Sequence, residues 1–419
     1  MKLLISTPEK LDSMKVGLKM LEINLSIACS ILLIISIIIA TFFRKEIVAN
    51  SDDQSYGIFT FVFILFTSGL DIGLIMFPLM EFNRYTQPEY LGISPLSIEV
   101  GFWGGMVWLF YFVTTFYFSK IEPEIKFFEN KLAKLMLYIL ILLTCAFTAD
   151  LFVEFFGFYL PDNMAIQYPL LGDHKFIVLI ASFLILMASI MASRIAFIRY
   201  LSTLSIILFS ALILVGYYLI PDSQQGISFI VLAGKGILGY LTNLSDFVTP
   251  MNNYHQFYMF WWFSWALMIG MFVSQFVPKS LTAGNLFILM LIVPTVPLLL
   301  WFSVLYSLYL SDLIIPQGYF LAMFIVGLLF LVNSFDSMIR LSQSILISIG
   351  IKKYSLVYST VLLLFCFIGY TGFEHNGGIL KIDYTGTLSI FIIYGILLKF
   401  IFKSLKLKFE QRKNTEITD

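Results

Sequence analysis

Long apolar stretches, each close to the roughly 20 residues needed to cross a bilayer, most restrict what this chain can fold into. Hydrophobic residues make up 59 % of its 419 residues, and charged residues only 12 %. Soluble domains contain about twice that charged share. The sequence therefore predicts an all-α polytopic membrane protein with about 11 transmembrane helices. The predicted spans are 21–42, 57–82, 98–119, 132–157, 175–196, 201–220, 255–277, 286–310, 315–338, 355–373 and 384–402.

The sequence also argues against several other classes of protein. The first apolar run is too long and begins too late for a signal peptide. All three cysteines fall within apolar spans, and the three histidines stand far apart, so neither a disulfide framework nor a metal-ligand spacing is indicated. We expect no cofactor and no enzymatic activity. A formal net charge of zero gives no reason to expect a nucleic-acid partner.

The distribution of Lys and Arg in the short loops predicts the orientation in the membrane. The basic side includes 194–199, 279, 340–353 and the tail 403–413, which we expect to be cytoplasmic. An odd number of spans then places the N-terminus outside, although its first 20 residues contain four lysines. Either one span is miscounted or the N-terminal segment lies along the surface. The amphipathic stretch 227–241 is predicted to be an interfacial helix on the outer side.

Aromatic residues concentrate at the middle of two spans rather than at the lipid–water interfaces, where tryptophan is usually found. Aromatic faces at mid-depth suit a desolvated organic cation such as a quaternary ammonium. The competing interpretation is that these rings only pack helices together. The residues are Trp103, Trp108 and Tyr111 in one span and Trp261, Trp262 and Trp265 in the other.

The second span contains a sequence that should interrupt its helix at mid-depth. Gly69 and Gly73 flank Asp71, and glycine is unfavourable in a helix interior. Non-helical backbone at that depth persists only inside protein or along a wet cavity, and broken helices of this kind form the sites of many secondary transporters. Asp71 could neutralise a substrate cation, replace an ion, carry a proton, or cap the helix at the break.

These motifs together resemble the betaine/choline/carnitine transporter (BCCT) family, from about Arg44 to the last span. The Gly-rich break resembles that family's Gly-x-Gly-x-Gly stretch, and the aromatic residues have the spacing of its aromatic box and signature helix. The similar segments, in chain order, are 68–74, 103–111, 261–272, 292–304 and 330–337.

The resemblance implies a LeuT-like core of two inverted repeats of five helices each. The implied division is an N-terminal segment with one accessory helix (1–56), a transport core (57–338) made of repeats 57–196 and 201–338, two C-terminal helices (339–402) and a basic tail (403–419). Family members usually have twelve spans, so the resemblance implies that the first of them is not among the spans predicted here. The tail is expected to anchor the positive-inside orientation or to sense ionic strength or lipid charge.

The implied function is secondary active transport of a small quaternary ammonium or related zwitterion into the cell. Alternating access would be coupled to Na⁺ or H⁺, in a plasma membrane (the inner membrane of a bacterium). The expected partners are the substrate, the lipid bilayer and, because relatives form trimers, two further copies of the chain.

The resemblance also implies roles for individual residues. Trp103, Trp108, Tyr111 and Trp262 would form an aromatic box around the cationic head, with Trp261 and Trp265 further along the path. Gly69 and Gly73 would open the first core helix toward a substrate carboxylate. A sodium site would consist of the carbonyl oxygens of Thr67, Leu70 and Phe330 and the side chains of Asn333 and Ser334. Asp336, which belongs to the same motif, is expected to have a structural partner.

Departures from the family pattern leave the cargo open. Asp71 lies two residues before the position at which proton-coupled members have an acid, and Asn333 replaces the usual Thr. After Trp265 the family has a Pro within its signature, whereas this chain reads Ala266-Leu267-Met268. The family's Arg and basic loop after this helix become Ser274-Gln275-Phe276 and Pro278-Lys279-Ser280. One alternative keeps the fold and carries another amine or an amino acid with Asp71 as counter-ion. A second is a non-transporting membrane sensor.

Overall fold

The structure, a computed structural model, describes residues 8–48, 56–70, 72–160, 168–375 and 382–416. The chain is 85 % helical, and the described residues contain no strand. The prediction of an all-α polytopic membrane protein is therefore confirmed. The helices are α1 (Pro8–Phe42), α2 (Ile58–Ser68), α3 (Ile72–Met76), α4 (Pro78–Arg84), α5 (Pro95–Ile125), α6 (Lys131–Glu154), α7 (His174–Ala192), α8 (Ile195–Leu219), α9 (Ile227–Thr242), α10 (Asn253–Ser274), α11 (Ala283–Leu310), α12 (Gln317–Ser348), α13 (Ser355–His375) and α14 (Ile382–Glu416).

Ten of the helices in the described ranges are long and apolar enough to cross a membrane. The count differs from the predicted eleven because the predicted span 57–82 consists of three short helices, α2, α3 and α4. Its residues are as apolar as those of the other spans, but the Gly-rich sequence interrupts the backbone hydrogen bonds that would make it one helix.

Two helices at the C-terminal end are longer than hydropathy predicts. Helix α12 continues to Ser348 rather than ending near 338, and α14 runs through the basic tail to Glu416. A helix is ended by backbone chemistry rather than by the edge of the apolar zone, and Lys, Leu and Gln in the tail are good helix formers. Lys403 donates to the carbonyl of Glu124 at 2.7 Å, which attaches α14 to the end of α5.

The N-terminal residues from Pro8 onward continue α1 rather than forming a separate surface segment. The chain after α1 lies against the start of α11, where the amide of Val48 donates to the carbonyl of Leu281 at 3.0 Å. The predicted amphipathic stretch 227–241 is helical, as α9.

Burial separates central helices from peripheral ones. The most apolar 18-residue window of α5 is entirely buried, and that of α10 is 83 % buried. The corresponding windows of α7 and α8 are about one-third buried, as expected for helices with one face toward lipid. The two spans that contain the clustered aromatic residues are thus the two at the centre of the protein.

Helix α5 contains a wide π-helical segment, Val100–Met106, in the region that includes Trp103. Segments of this kind are rare and often occur at functional sites. Glycines in the segment admit side chains from neighbouring elements: a Cβ at Gly101 would lie 2.2 Å from the Phe247 ring, and one at Gly105 would lie 2.4 Å from the Tyr240 ring. These close approaches fix how α5 sits among its neighbours.

Asp336 has the structural partner that its motif predicted. Its carboxylate, fully buried on α12, accepts two hydrogen bonds from Nε of Arg340, at 3.0 and 3.1 Å. The same guanidinium donates to the carbonyls of Met191 and Arg194 at 2.6 and 2.8 Å. This ion pair therefore attaches α12 to the C-terminal end of α7.

Candidate substrate and ion site

The candidate site is centred on the break between α2 and α3. Helix α2 ends at Ser68, Gly69 follows with φ −100° and ψ 6°, and α3 begins at Ile72. The last carbonyls of a helix have no amide partner within it, so this break provides acceptors in the interior of the protein. Asp71, between the two helices, lies outside the described residues.

Glycine at position 69 is required by a close approach of Tyr111. A Cβ at Gly69 would lie 2.7 Å from Cε2 of the Tyr111 ring, which is too close for any larger residue. The Tyr111 hydroxyl donates to the Gly69 carbonyl at 3.3 Å. Gly73 is buried in the first turn of α3. The structure therefore brings two predicted substrate residues, Gly69 and Tyr111, into direct contact.

Trp108 and Tyr111 stand together beside the break. Their ring centroids are 5.4 Å apart with planes at 85°, and Phe66 of α2 lies parallel to Trp108 at 6.3 Å. The Trp108 indole N–H donates to the carbonyl of Trp103 at 2.9 Å. All of these aromatic rings are buried. Two predicted box residues thus form one continuous aromatic wall with Phe66, which sequence analysis did not identify.

Trp262 has different neighbours. Its ring contacts those of Phe102, Phe110 and His255 at centroid distances of 5.8 to 5.9 Å, and its indole N–H donates to the Phe102 carbonyl at 3.0 Å. Trp103 contacts α10 through Tyr258. The indole N–H of Trp103 donates to the Tyr258 hydroxyl at 3.2 Å. The four predicted box residues are all on the interface of α5 with α2 and α10, with Trp108 and Tyr111 toward α2.

Trp261 and Trp265 form a separate stacked pair on α10. Their centroids are 6.1 Å apart with planes at 30°, and Trp261 contacts Phe147 of α6. Within the described part of the chain, the indole N–H of Trp265 has no hydrogen-bond partner although the side chain is buried. Trp261 thus contacts α6, and Trp265 stacks on Trp261; their predicted place further along the substrate path stays a prediction.

Of the three predicted sodium ligands on α12, Ser334 contacts the break directly. The Ser334 hydroxyl donates to the Leu70 carbonyl at 2.6 Å and lies 3.4 Å from the Ser68 carbonyl. Asn333, buried beside it, has an Oδ1 with no hydrogen-bond partner among the described residues. Buried amide oxygens ordinarily have a partner, so this atom is an available ligand.

Two serines of α8 complete the oxygen cluster, and sequence analysis missed both. Ser202 accepts from the Thr67 hydroxyl at 2.7 Å, and Ser205 accepts from Nδ2 of Asn333 at 2.8 Å. The signal was available in their spacing, since residues three apart lie on one face of a helix.

Phe330, whose carbonyl oxygen was a predicted sodium ligand, is fully buried within the continuous helix α12. A carbonyl in such a helix ordinarily accepts from the amide four residues on.

The chemistry of this cluster fits a small hard cation. The cluster consists of hydroxyl, amide and carbonyl oxygens from α2, α8 and α12. None of its residues named above has an acidic side chain. Sodium and other hard cations prefer oxygen ligands, and freed carbonyls at a broken helix are a recurrent source of them. We expect the Ser334 hydroxyl to turn from the Leu70 carbonyl when a cation takes its place.

Two buried acids were also missed by sequence analysis, Glu81 of α4 and Glu99 of α5. Each lies near the end of an apolar run, a position at which carboxylates are usually solvated. Their burial results from the packing of α4, α5 and α10 and has no counterpart in the hydropathy pattern.

Comparison with protein-family models and with curated proteins gives no match for this chain. The class that the fold defines is a multi-span α-helical membrane protein, in which the predicted span 57–82 is divided into α2, α3 and α4.

Proposed function

We propose that this protein is a secondary active transporter that imports a small quaternary ammonium compound or a related zwitterion. The observation that carries the proposal is the break between Ser68 and Ile72, which has Tyr111 on one side and Ser334 on the other. A single interruption thereby places an aromatic wall and an oxygen cluster next to each other, as coupled binding of an organic cation and an ion requires.

The aromatic wall supplies selectivity for a cation. A desolvated cation–π contact contributes about 2 kcal/mol, and Trp108 and Tyr111, whose ring centroids are 5.4 Å apart, are the two rings that we propose contact the methylated ammonium group. The absence of a side chain at Gly69 lets the Tyr111 ring lie directly against the break, which brings the aromatic wall to the backbone there. The resemblance of motifs supports the same substrate class and a LeuT-like core of repeats 57–196 and 201–338.

Ion coupling is supported by the oxygen cluster around Ser334 and Asn333. A sodium ion bound there would contact α2, α8 and α12 together. Its binding would therefore favour one arrangement of these helices, which is how an ion gradient drives alternating access. The cytoplasmic tail, plasma-membrane location and trimeric assembly expected from the resemblance belong to the same proposal.

Asp71 provides the second candidate, transport of another amine or an amino acid with the carboxylate as counter-ion. An acid within a predicted membrane span is a functional residue by default, which favours this candidate specifically. If it is correct, Asp71→Asn abolishes binding of the cationic cargo, whereas binding of glycine betaine, which brings its own carboxylate, is little affected.

The deciding experiment is uptake into proteoliposomes of radiolabelled glycine betaine, choline and carnitine under an imposed sodium or proton gradient. Trp108→Leu should weaken substrate binding by about 30-fold, the equivalent of one lost cation–π contact. Phe112→Leu is the matched control, since Phe112 is a buried ring of the same helix that contacts Phe287 of α11. Equal effects of both substitutions would refute a role for the aromatic wall. Stable, inserted protein that takes up none of the three compounds would leave the candidate with a different cargo and the sensor alternative.

A further inference from the structure

Two buried carboxyl groups meet between α4 and α5. Glu81 is 2 % exposed and Glu99 is fully buried, and the two side chains interact with each other. Among the described residues, no lysine or arginine forms a salt bridge with either one. A buried carboxylate is normally paired with a cation or neutralised, so this carboxyl pair requires another explanation.

The hydrogen bonds around the carboxyl pair leave three of its oxygens unsatisfied. The hydroxyls of Tyr254 and Tyr258 both donate to Oε1 of Glu81, the latter at 2.5 Å. Oε2 of Glu81 and both oxygens of Glu99 have no hydrogen-bond partner in the part of the chain that the structure describes. The hydroxyl of Tyr85 lies beside both carboxyl groups. Unsatisfied acceptors side by side in the interior repel each other unless a proton lies between them.

The basic side chains around the carboxyl pair do not provide a positive charge that would balance it. Arg84 is exposed and lies over the Tyr254 ring at 3.8 Å. His255 of α10 is buried and accepts from the Met251 amide through Nδ1. Helix α11, packed against α4, presents Tyr306 and Tyr309, whose rings contact Phe82, and Lys235 of α9 is exposed. A shared proton fits the carboxyl pair, because it removes the repulsion between the adjacent carboxylate oxygens.

A chain of hydrogen bonds connects the carboxyl pair to both the exterior and the aromatic site. Tyr254 and Arg84 line a cleft of about 290 Å³, on the side predicted to be outer. Tyr258 donates to Glu81 and accepts from the indole N–H of Trp103. The carboxyl pair thus stands between an open cleft and a predicted substrate residue.

We propose that Glu81 and Glu99 form a proton-binding site, loaded from the outer cleft beside Tyr254 and linked through Tyr258 to Trp103. The loaded site holds one proton and one negative charge shared between the two carboxyl groups. This inference rests on the proposed transport function and adds a proton, bound apart from the oxygen cluster at Ser334, to the ions that control uptake. Because the carboxyl pair joins α4 to α5 and, through the two tyrosines, to α10, its protonation changes how these helices hold together.

The first test is infrared spectroscopy of the purified full-length protein in lipid bilayers, which detects the C=O stretch of a protonated carboxyl directly. Wild-type protein should show such a band at neutral pH, and both Glu81→Gln and Glu99→Gln should reduce it. Glu89→Gln, at an exposed acid between α4 and α5, is the control and should leave the band unchanged. If neither glutamine variant alters the band, the carboxyl pair holds no proton and the proposal is wrong. Should a glutamine variant fail to fold, Glu99→Asp tests the same point, since it retains the ionisable group and should shift the band rather than remove it.

The second test is uptake as a function of external pH at a fixed sodium gradient. Uptake by the wild type should increase as the outside is acidified, and Glu99→Gln should lose this dependence. The two tests separate the two proposals. If uptake by the wild type does not depend on pH and the infrared band responds to neither Glu81→Gln nor Glu99→Gln, the proton site is refuted and the proposed transport function stands. A band that responds, in a protein that transports nothing, refutes the proposed function alone.

Discussion

The edge of the Tyr111 ring occupies the space that a side chain at Gly69 would need, and the Tyr111 hydroxyl donates to the carbonyl of that same residue. The aromatic wall and the helix break are therefore one structural unit rather than two neighbouring features. Any change at one of these residues must displace the other.

Gly69→Ala is expected to impair uptake strongly. The added methyl would lie 2.7 Å from Cε2 of Tyr111, so the ring must move, at a cost of about 1–3 kcal/mol for overpacking a core. Substrate binding and thermal unfolding of the purified protein measure the two consequences. Gly57→Ala, just before α2, is the control because its Cβ would meet no atom within 4 Å. Normal uptake by Gly69→Ala would contradict the close approach.

Ser334→Ala should raise the sodium concentration needed for half-maximal uptake, because it removes one oxygen from the cluster at the break. Ser337→Ala is the matched control one turn further along α12, where the hydroxyl donates to the carbonyl of Asn333 in the same helix. Uptake at varied sodium and constant ionic strength distinguishes the variants. An unchanged sodium dependence in Ser334→Ala would remove Ser334 from the ion site.

Arg340→Met should destabilise the protein by about 3–5 kcal/mol, the usual cost of leaving one partner of a buried ion pair alone. The substitution leaves the Asp336 charge buried and removes the donor to the carbonyls of Met191 and Arg194. Unfolding by heat, followed by tryptophan fluorescence, reports the loss. Adding Asp336→Asn to this variant should restore part of the stability, because the uncompensated charge is then gone. A double variant no more stable than Arg340→Met would contradict this account.

Gly270→Ala should prevent proper packing of α10 on α5. Its Cβ would lie 2.7 Å from a backbone carbon of Thr114, and backbone cannot rotate away as a side chain can. We expect a lower yield of folded protein and earlier thermal unfolding. Gly369→Ala in α13 meets nothing within 4 Å and should be neutral or slightly stabilising, since alanine is the better helix former by about 1 kcal/mol. Equal stability of the two variants would argue against this helix contact.

The sequence pattern located the break in this segment because the information is local. Glycine weakens a helix wherever it occurs, and α2 does end at Ser68, just before Gly69. Gly73, by contrast, lies within α3 and does not interrupt it. The predicted partner of Asp336 was found at Arg340, one turn away on the same helix. By contrast, the extra turns of α12 and α14 were missed, because hydropathy marks the apolar zone and not the end of the helix.

Contacts between distant segments were beyond any local pattern. Ser202 meets Thr67 across 135 positions of the chain, and Tyr258 meets Glu81 across 177. Nothing in the spacing of either residue indicates its partner, because the distance between two helices depends on how all of them pack. The same holds for Trp262, whose neighbours are Phe102, Phe110 and His255.

The sequence alone determined that this is a helical protein of the membrane, since uninterrupted apolar stretches can satisfy their backbone in lipid only as helices. It also determined where one of those segments breaks. The tertiary structure decided what the break contacts, Tyr111 at Gly69 and Ser334 at Leu70, and it brought Glu81 and Glu99 together between α4 and α5. Those relationships arise from packing among α2, α4, α5, α8, α10 and α12, in which each contact depends on the positions of all the others.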